Sequence, residues 1–128
     1  MFKDTKAFSG FSVDDVPRAK AFYGETLGLN VSEEEGGFLQ LHIAGDRDIL
    51  VYPKPDHAPA SFTILNFPVD DIEAAVDELS KRGVKFERYE GTEFEADKRG
   101  IFRVPDGGPD IAWFKDPAGN VLSVLHQN

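Results

Sequence analysis

The chain has no cysteine. Structural disulfides, thiolate nucleophiles and thiolate metal sites are excluded, and a reducing, cytoplasmic setting is expected. Cations are scarce: 14 Lys and Arg stand against 23 Asp and Glu, a formal charge of −9. Nucleic-acid binding leans on phosphate neutralisation, so no nucleic-acid partner is expected and the acidic balance reads as solubility. No apolar run approaches the roughly 20 residues of a membrane helix, and no membrane association is expected. The opening MFKDTKAFSG lacks a cationic leader followed by an apolar run, so no signal peptide is expected. Catalytic signatures are missing too. Gly36-Gly37 and Asp106-Gly107-Gly108 lack the GxGxxG or Walker context that cradles phosphates. Neither Ser9 nor Ser123 sits in a GxSxG elbow, so nucleophilic hydrolysis has no support.

What the chain does contain is a repeat. Val13-Asp14-Asp15-Val16 opens a helical stretch that stops near Gly28, and Val69-Asp70-Asp71-Ile72 opens another that stops near Gly83. Asp15 and Asp71 suit N-caps, and the apolar stripes Ala19, Phe22, Tyr23 and Ile72, Ala75, Val76, Leu79 predict helices over 15–27 and 71–82. Strands are predicted at 7–13, 29–32, 38–43, 48–52, 62–69, 84–89, 111–114 and 121–125, with a short extended piece at 101–104. Residues 90–100 are polar and irregular, with Phe94 as the large apolar exception. The proline-rich stretch 53–60 reads as a linker between module 1, about 6–52, and module 2, about 61–126, within one domain of 128 residues. The fold class is α+β: two βαβββ modules with mixed sheets, each burying one face against a helix and leaving the other free to curl around something.

Four segments carry a family resemblance. They are Val13-Asp14-Asp15-Val16 through Ala21-Phe22-Tyr23, then Leu27-Gly28-Leu29. The others are Val69-Asp70-Asp71-Ile72 through Arg82-Gly83-Val84, and Phe114-Lys115-Asp116-Pro117-Ala118-Gly119-Asn120-Val121-Leu122. In order and spacing the chain resembles the vicinal oxygen chelate superfamily of glyoxalases, bleomycin resistance proteins and extradiol dioxygenases. The resemblance implies a cup that, in metal-dependent members, holds a divalent ion on His, Glu or Gln from four strands. Carried over individually, those positions fall on Phe8, Ile64, Ser123 and Leu50, with Val51 or Tyr52 in place of Leu50 if the register slips. Phe and Ile cannot ligate a metal, and a serine hydroxyl is weak beside imidazole or carboxylate. No metal and no other cofactor are therefore expected. The same resemblance implies a homodimer.

The remaining polar candidates are modest. His42 shares a strand face with Phe38 and Gln40, whereas His57 reads as a surface linker residue and His126 as part of a fraying terminus. The three histidines form no HxH or HExxH pattern. Glu33-Glu34-Glu35 reads as a solvated edge, and Glu93, Glu95 and Asp97 as a loop. Aromatics are more informative: the chain has 11 Phe, 3 Tyr and 1 Trp. Trp113 and Phe114 must face opposite ways, one to the cup and one to the core. The expected ligand-binding set is Phe8, Phe38, His42, Leu50, Tyr52, Ile64, Trp113 and Ser123, with catalytic residues unassigned. The favoured reading is metal-independent binding of a small aromatic or apolar molecule in the cup or a dimer cleft. The alternatives are a metal-dependent lyase, isomerase or oxygenase with a displaced site, and an assembly domain whose cup is filled by its own side chains.

Overall fold

The computed structural model describes residues 1–89, 96–104 and 107–127. Two compact units follow one another, residues 1–58 and 59–128. Each has the order β-α-β-β-β.

The first unit contains β1 (Gly10–Val13), α1 (Val16–Ala21), β2 (Asn30–Glu34), β3 (Phe38–Ile43) and β4 (Arg47–Pro53). Its sheet runs β1-β4-β3-β2, with β1 parallel to β4 and the other pairs antiparallel. The Asp15 side chain accepts the Arg18 N–H and caps α1. The helix then widens into a π-helical turn over Phe22–Thr26, where the Leu27 N–H reaches the Phe22 carbonyl. The expected helix 15–27 is thus α-helical only in its first half. Tyr23, fully buried, packs between Phe11 and Phe22 at ring separations of 5.7 and 5.2 Å. Phe11, Val13, Leu39, Leu41 and Val51 complete this helix-facing core.

The second unit contains β5 (Thr63–Pro68), α2 (Ile72–Lys81), β6 (Phe102–Arg103), β7 (Asp110–Lys115) and β8 (Val121–His126). Its sheet repeats the topology as β5-β8-β7-β6. Asp71 caps α2 by accepting the Ala74 N–H. Ile72 and Val76 bury against the face that carries Ala112, Phe114, Leu122 and Val124. Between β7 and β8, one Asp116 oxygen accepts the N–H groups of Ala118 and Asn120, and the other accepts the Asn120 amide. A buried carboxylate thereby organises the whole hairpin turn.

Three expectations need correction. The strand expected from Ala7 starts only at Gly10, leaving Phe8 outside it and 72% exposed. The strand expected at 84–89 is a single bridge from Phe86 to Phe114. The reason is local: the edge of β7 is shared, with Phe86 on one stretch and Phe102 on the next. The histidines set aside as loose are anchored. His57 Nδ1 lies 2.6 Å from Ser12 Oγ, pinning the linker to β1, and His126 Nδ1 donates to the Val69 carbonyl at 3.0 Å. Phe94, Glu93, Glu95 and Asp106 lie outside the described residues.

Candidate functional site

A β-strand sends alternate side chains to opposite faces. In each unit one face meets the helix, and the other, here called open, is where the expected site residues collect.

In the first unit, burial of Leu39, Leu41 and Val51 on the helix face sends Phe38, Gln40, His42, Leu50 and Tyr52 to the open face. Gly10 and Ser12 join them by pairing with Leu50 and Tyr52. Gly10 is needed there: a Cβ would sit 3.1 Å from the Leu50 carbonyl oxygen and 3.2 Å from its Cβ. His42 ties three strands together. Its Nδ1 lies 2.8 Å from Asp48 Oδ1, and its Nε2 lies 2.8 Å from Ser32 Oγ. The contacts run Ser-His-Asp, as in a hydrolytic triad. However, the Ser32 hydroxyl gives its hydrogen to Glu34 Oε1 at 2.9 Å, so it is not activated by the imidazole. Both ring nitrogens are occupied within the sheet, so His42 is a cross-strand tie.

The second unit has a different open face. Trp113 stands on β7, yet its Nε1–H donates to Thr63 Oγ1 on β5 at 3.0 Å. Strand β8 lies between those two strands. Neighbouring strands are about 4.8 Å apart, so the indole has to reach across β8. That accounts for the burial of Val121 and Ser123 on the face beneath it. Phe102 and Tyr89 meet the indole edge-on at ring separations of 5.2 and 5.6 Å. Burial, and secondarily the Glu87 carboxylate, push the Tyr89 phenol above its ordinary range, so it stays a neutral O–H.

A β-bulge makes this arrangement possible. Thr63 pairs with Val121 but Leu65 pairs with Leu122, so Ile64 is the extra residue. Thr63 and Asn66 are three apart and would face opposite ways in a regular strand. The bulge turns both to the open face, where Thr63 meets Trp113 and Asn66 meets Ser123. The Ser123–Asn66 contact was not foreseen. Its one sequence trace is a polar Asn set among Leu65, Phe67 and other strand formers.

The sequence model of the Glyoxalase/Bleomycin resistance protein/Dioxygenase superfamily matches residues 8–124. The chain belongs to this superfamily. Among solved structures, TnmS3, an antibiotic binding protein from Streptomyces sp. CB03234, is 26% identical over 98% of both chains, with a TM-score of 0.68. A glyoxalase/bleomycin resistance protein from the same organism is 28% identical, covering 92% of this chain and 98% of its own, with a TM-score of 0.58. The fosfomycin resistance protein FosX from Listeria monocytogenes shares the fold at 15% identity, covering 95% of this chain and 92% of its own, with a TM-score of 0.69. No curated protein matches the chain.

At the positions to which the resemblance carries a metal ligand, the side chains do not suit an ion. Phe8 is an exposed side chain outside the strands, and Leu50 is an alkyl group over Gly10. Ile64 is the bulge residue, and the buried Ser123 hydroxyl is already given to Asn66. Among the described residues, no group of three or more His, Asp and Glu side chains gathers as a metal site. The structure thus places Phe38, His42, Leu50 and Tyr52 on one open face and Trp113 and Ser123 on the other, with Ser123 under the indole. A separate groove of about 450 Å³ lies between α1 and β2, lined by Pro17, Lys20, Gly24 and Val31, and none of the eight expected residues borders it. No helix is long and apolar enough to cross a membrane among the described residues.

The Trp113–Thr63 tie is directly testable. Thr63→Val keeps the side-chain shape and removes the acceptor, leaving the indole N–H unpaired. A loss of about 1–2 kcal/mol is expected in urea unfolding. An unchanged unfolding midpoint would contradict the tie.

Proposed function

We propose that this superfamily member binds a small, flat or apolar organic molecule on its open sheet faces without using a metal. The observation that carries the reading is the indole of Trp113 laid across β8 with Tyr89 and Phe102 against it. Aromatic side chains give a ligand a large contact area, and a few fixed polar groups orient it. Phe38, Leu50 and Tyr52 provide an apolar surface on the open face of the first sheet. His42 and Ser123 hold their neighbours in place. The antibiotic binding protein TnmS3, at 26% identity, is a relative whose stated role agrees with this reading. The lack of cysteine suits a reducing compartment.

The test is to purify the protein, denature it and identify released small molecules by mass spectrometry. An aromatic compound in stoichiometric amount, restored to the refolded chain with a change in Trp113 emission, is expected. Activity that requires one tightly held divalent ion per chain would overturn the reading.

The same proposal includes a homodimer. Phe8 in the first unit is 72% exposed and Phe62 in the second is 69% exposed, and a second copy would cover such apolar side chains. Sedimentation at micromolar concentration is expected to give the mass of a dimer, and a monomer throughout that range would refute it.

A further inference from the structure

Ser123 is fully buried and cannot meet a bound molecule. Its hydroxyl acts through Asn66. The two side chains face each other across paired strands, and Trp113 pairs with Ser123 from the other side, so Asn66, Ser123 and Trp113 form one transverse row. The Ser123 Oγ to Asn66 Oδ1 distance is 2.5 Å. That length suits an O–H···O bond and is too short for an amide N–H donating to a hydroxyl, which prefers at least about 2.7 Å. The amide therefore has a fixed sense: its oxygen points to Ser123 and its NH₂ points away. Among the described residues nothing else engages that amide, and Asn66 as a residue is exposed.

We infer that Asn66 is a specificity-determining hydrogen-bond donor, set in orientation by Ser123, and that the ligand is a flat aromatic carrying a carbonyl-type acceptor. The inference rests on the proposed binding function and sharpens it. Trp113 cannot supply the donor, because its N–H is committed to Thr63. Asn66 shares strand β5 and the open face with Thr63, which holds the indole, so an acceptor at the rim of a ring system stacked on the indole is placed to meet the amide NH₂. An anion is not selected, since the donor is neutral and the chain carries a net charge of −9.

The experiment compares methyl β-naphthyl ketone with β-isopropylnaphthalene, a pair of similar shape that differs in the carbonyl. Binding is followed by calorimetry and by heteronuclear NMR of the single indole N–H and the Asn66 side-chain amide. The ketone is expected to bind about three- to tenfold tighter, the value of one net hydrogen bond, and to move the Asn66 amide signals. Asn66→Asp removes the donor at constant shape and should abolish the ketone's advantage over the hydrocarbon. Ser123→Ala frees the amide to rotate, and the ketone's advantage should shrink to about twofold or less, although Ser123 never touches the ligand. Thermal melts establish that each variant is folded. Equal binding of ketone and hydrocarbon to the wild type overturns the inference and leaves the proposed function standing. Binding of neither, with the indole signal unmoved, overturns both. A full ketone advantage in Ser123→Ala overturns the positioning role.

Discussion

The hydrogen bond from Trp113 to Thr63 crosses two strand spacings, and the open face of the second sheet is organised around it. An indole on β7 would ordinarily stand up from its own strand. Held at its far end by β5, it reaches over β8 instead. Val121 and Ser123 are buried as a result, and Phe102 and Tyr89 find an aromatic partner. The bulge at Ile64 is the backbone condition for all of this, because it brings Thr63 to the same side as Asn66.

The two sheets share a topology and differ in chemistry. The first open face is laced by polar contacts through His42, which ties Ser32 on one strand to Asp48 on another. The second carries an aromatic cluster around Trp113, with polar contacts where Trp113 meets Thr63 and Ser123 meets Asn66. A shared scaffold does not dictate a shared site, so the superfamily's metal chemistry cannot be read from the fold alone. At the positions concerned, this chain places alkyl, aromatic and hydroxyl groups.

Much of the architecture was legible because its signals are local. Asp15 and Asp71 cap helices where expected, and the turn at Asp116 closes the last hairpin. Strand alternation correctly put Phe38 and His42 together, and it required Trp113 and Phe114 to part company. Which of those two faces the helix depended on α2 packing against Phe114, a tertiary fact. The carry-over to Ile64 presumes a regular strand, and a bulge breaks that premise because it adds a residue without advancing the partner strand. The start of β1 was misplaced for a related reason, since apolar residues before Gly10 do not reveal where pairing with β4 begins. Asn66 was overlooked because its role exists only through a neighbour 57 residues away in sequence.

The central claim is that this surface holds a ligand by apolar contact and a neutral donor, without an ion. The most direct test is a calorimetric titration of methyl β-naphthyl ketone into protein stripped of metal by a chelator, repeated with zinc in excess. The account predicts the same affinity in both. Binding that appears only with the metal present would contradict it.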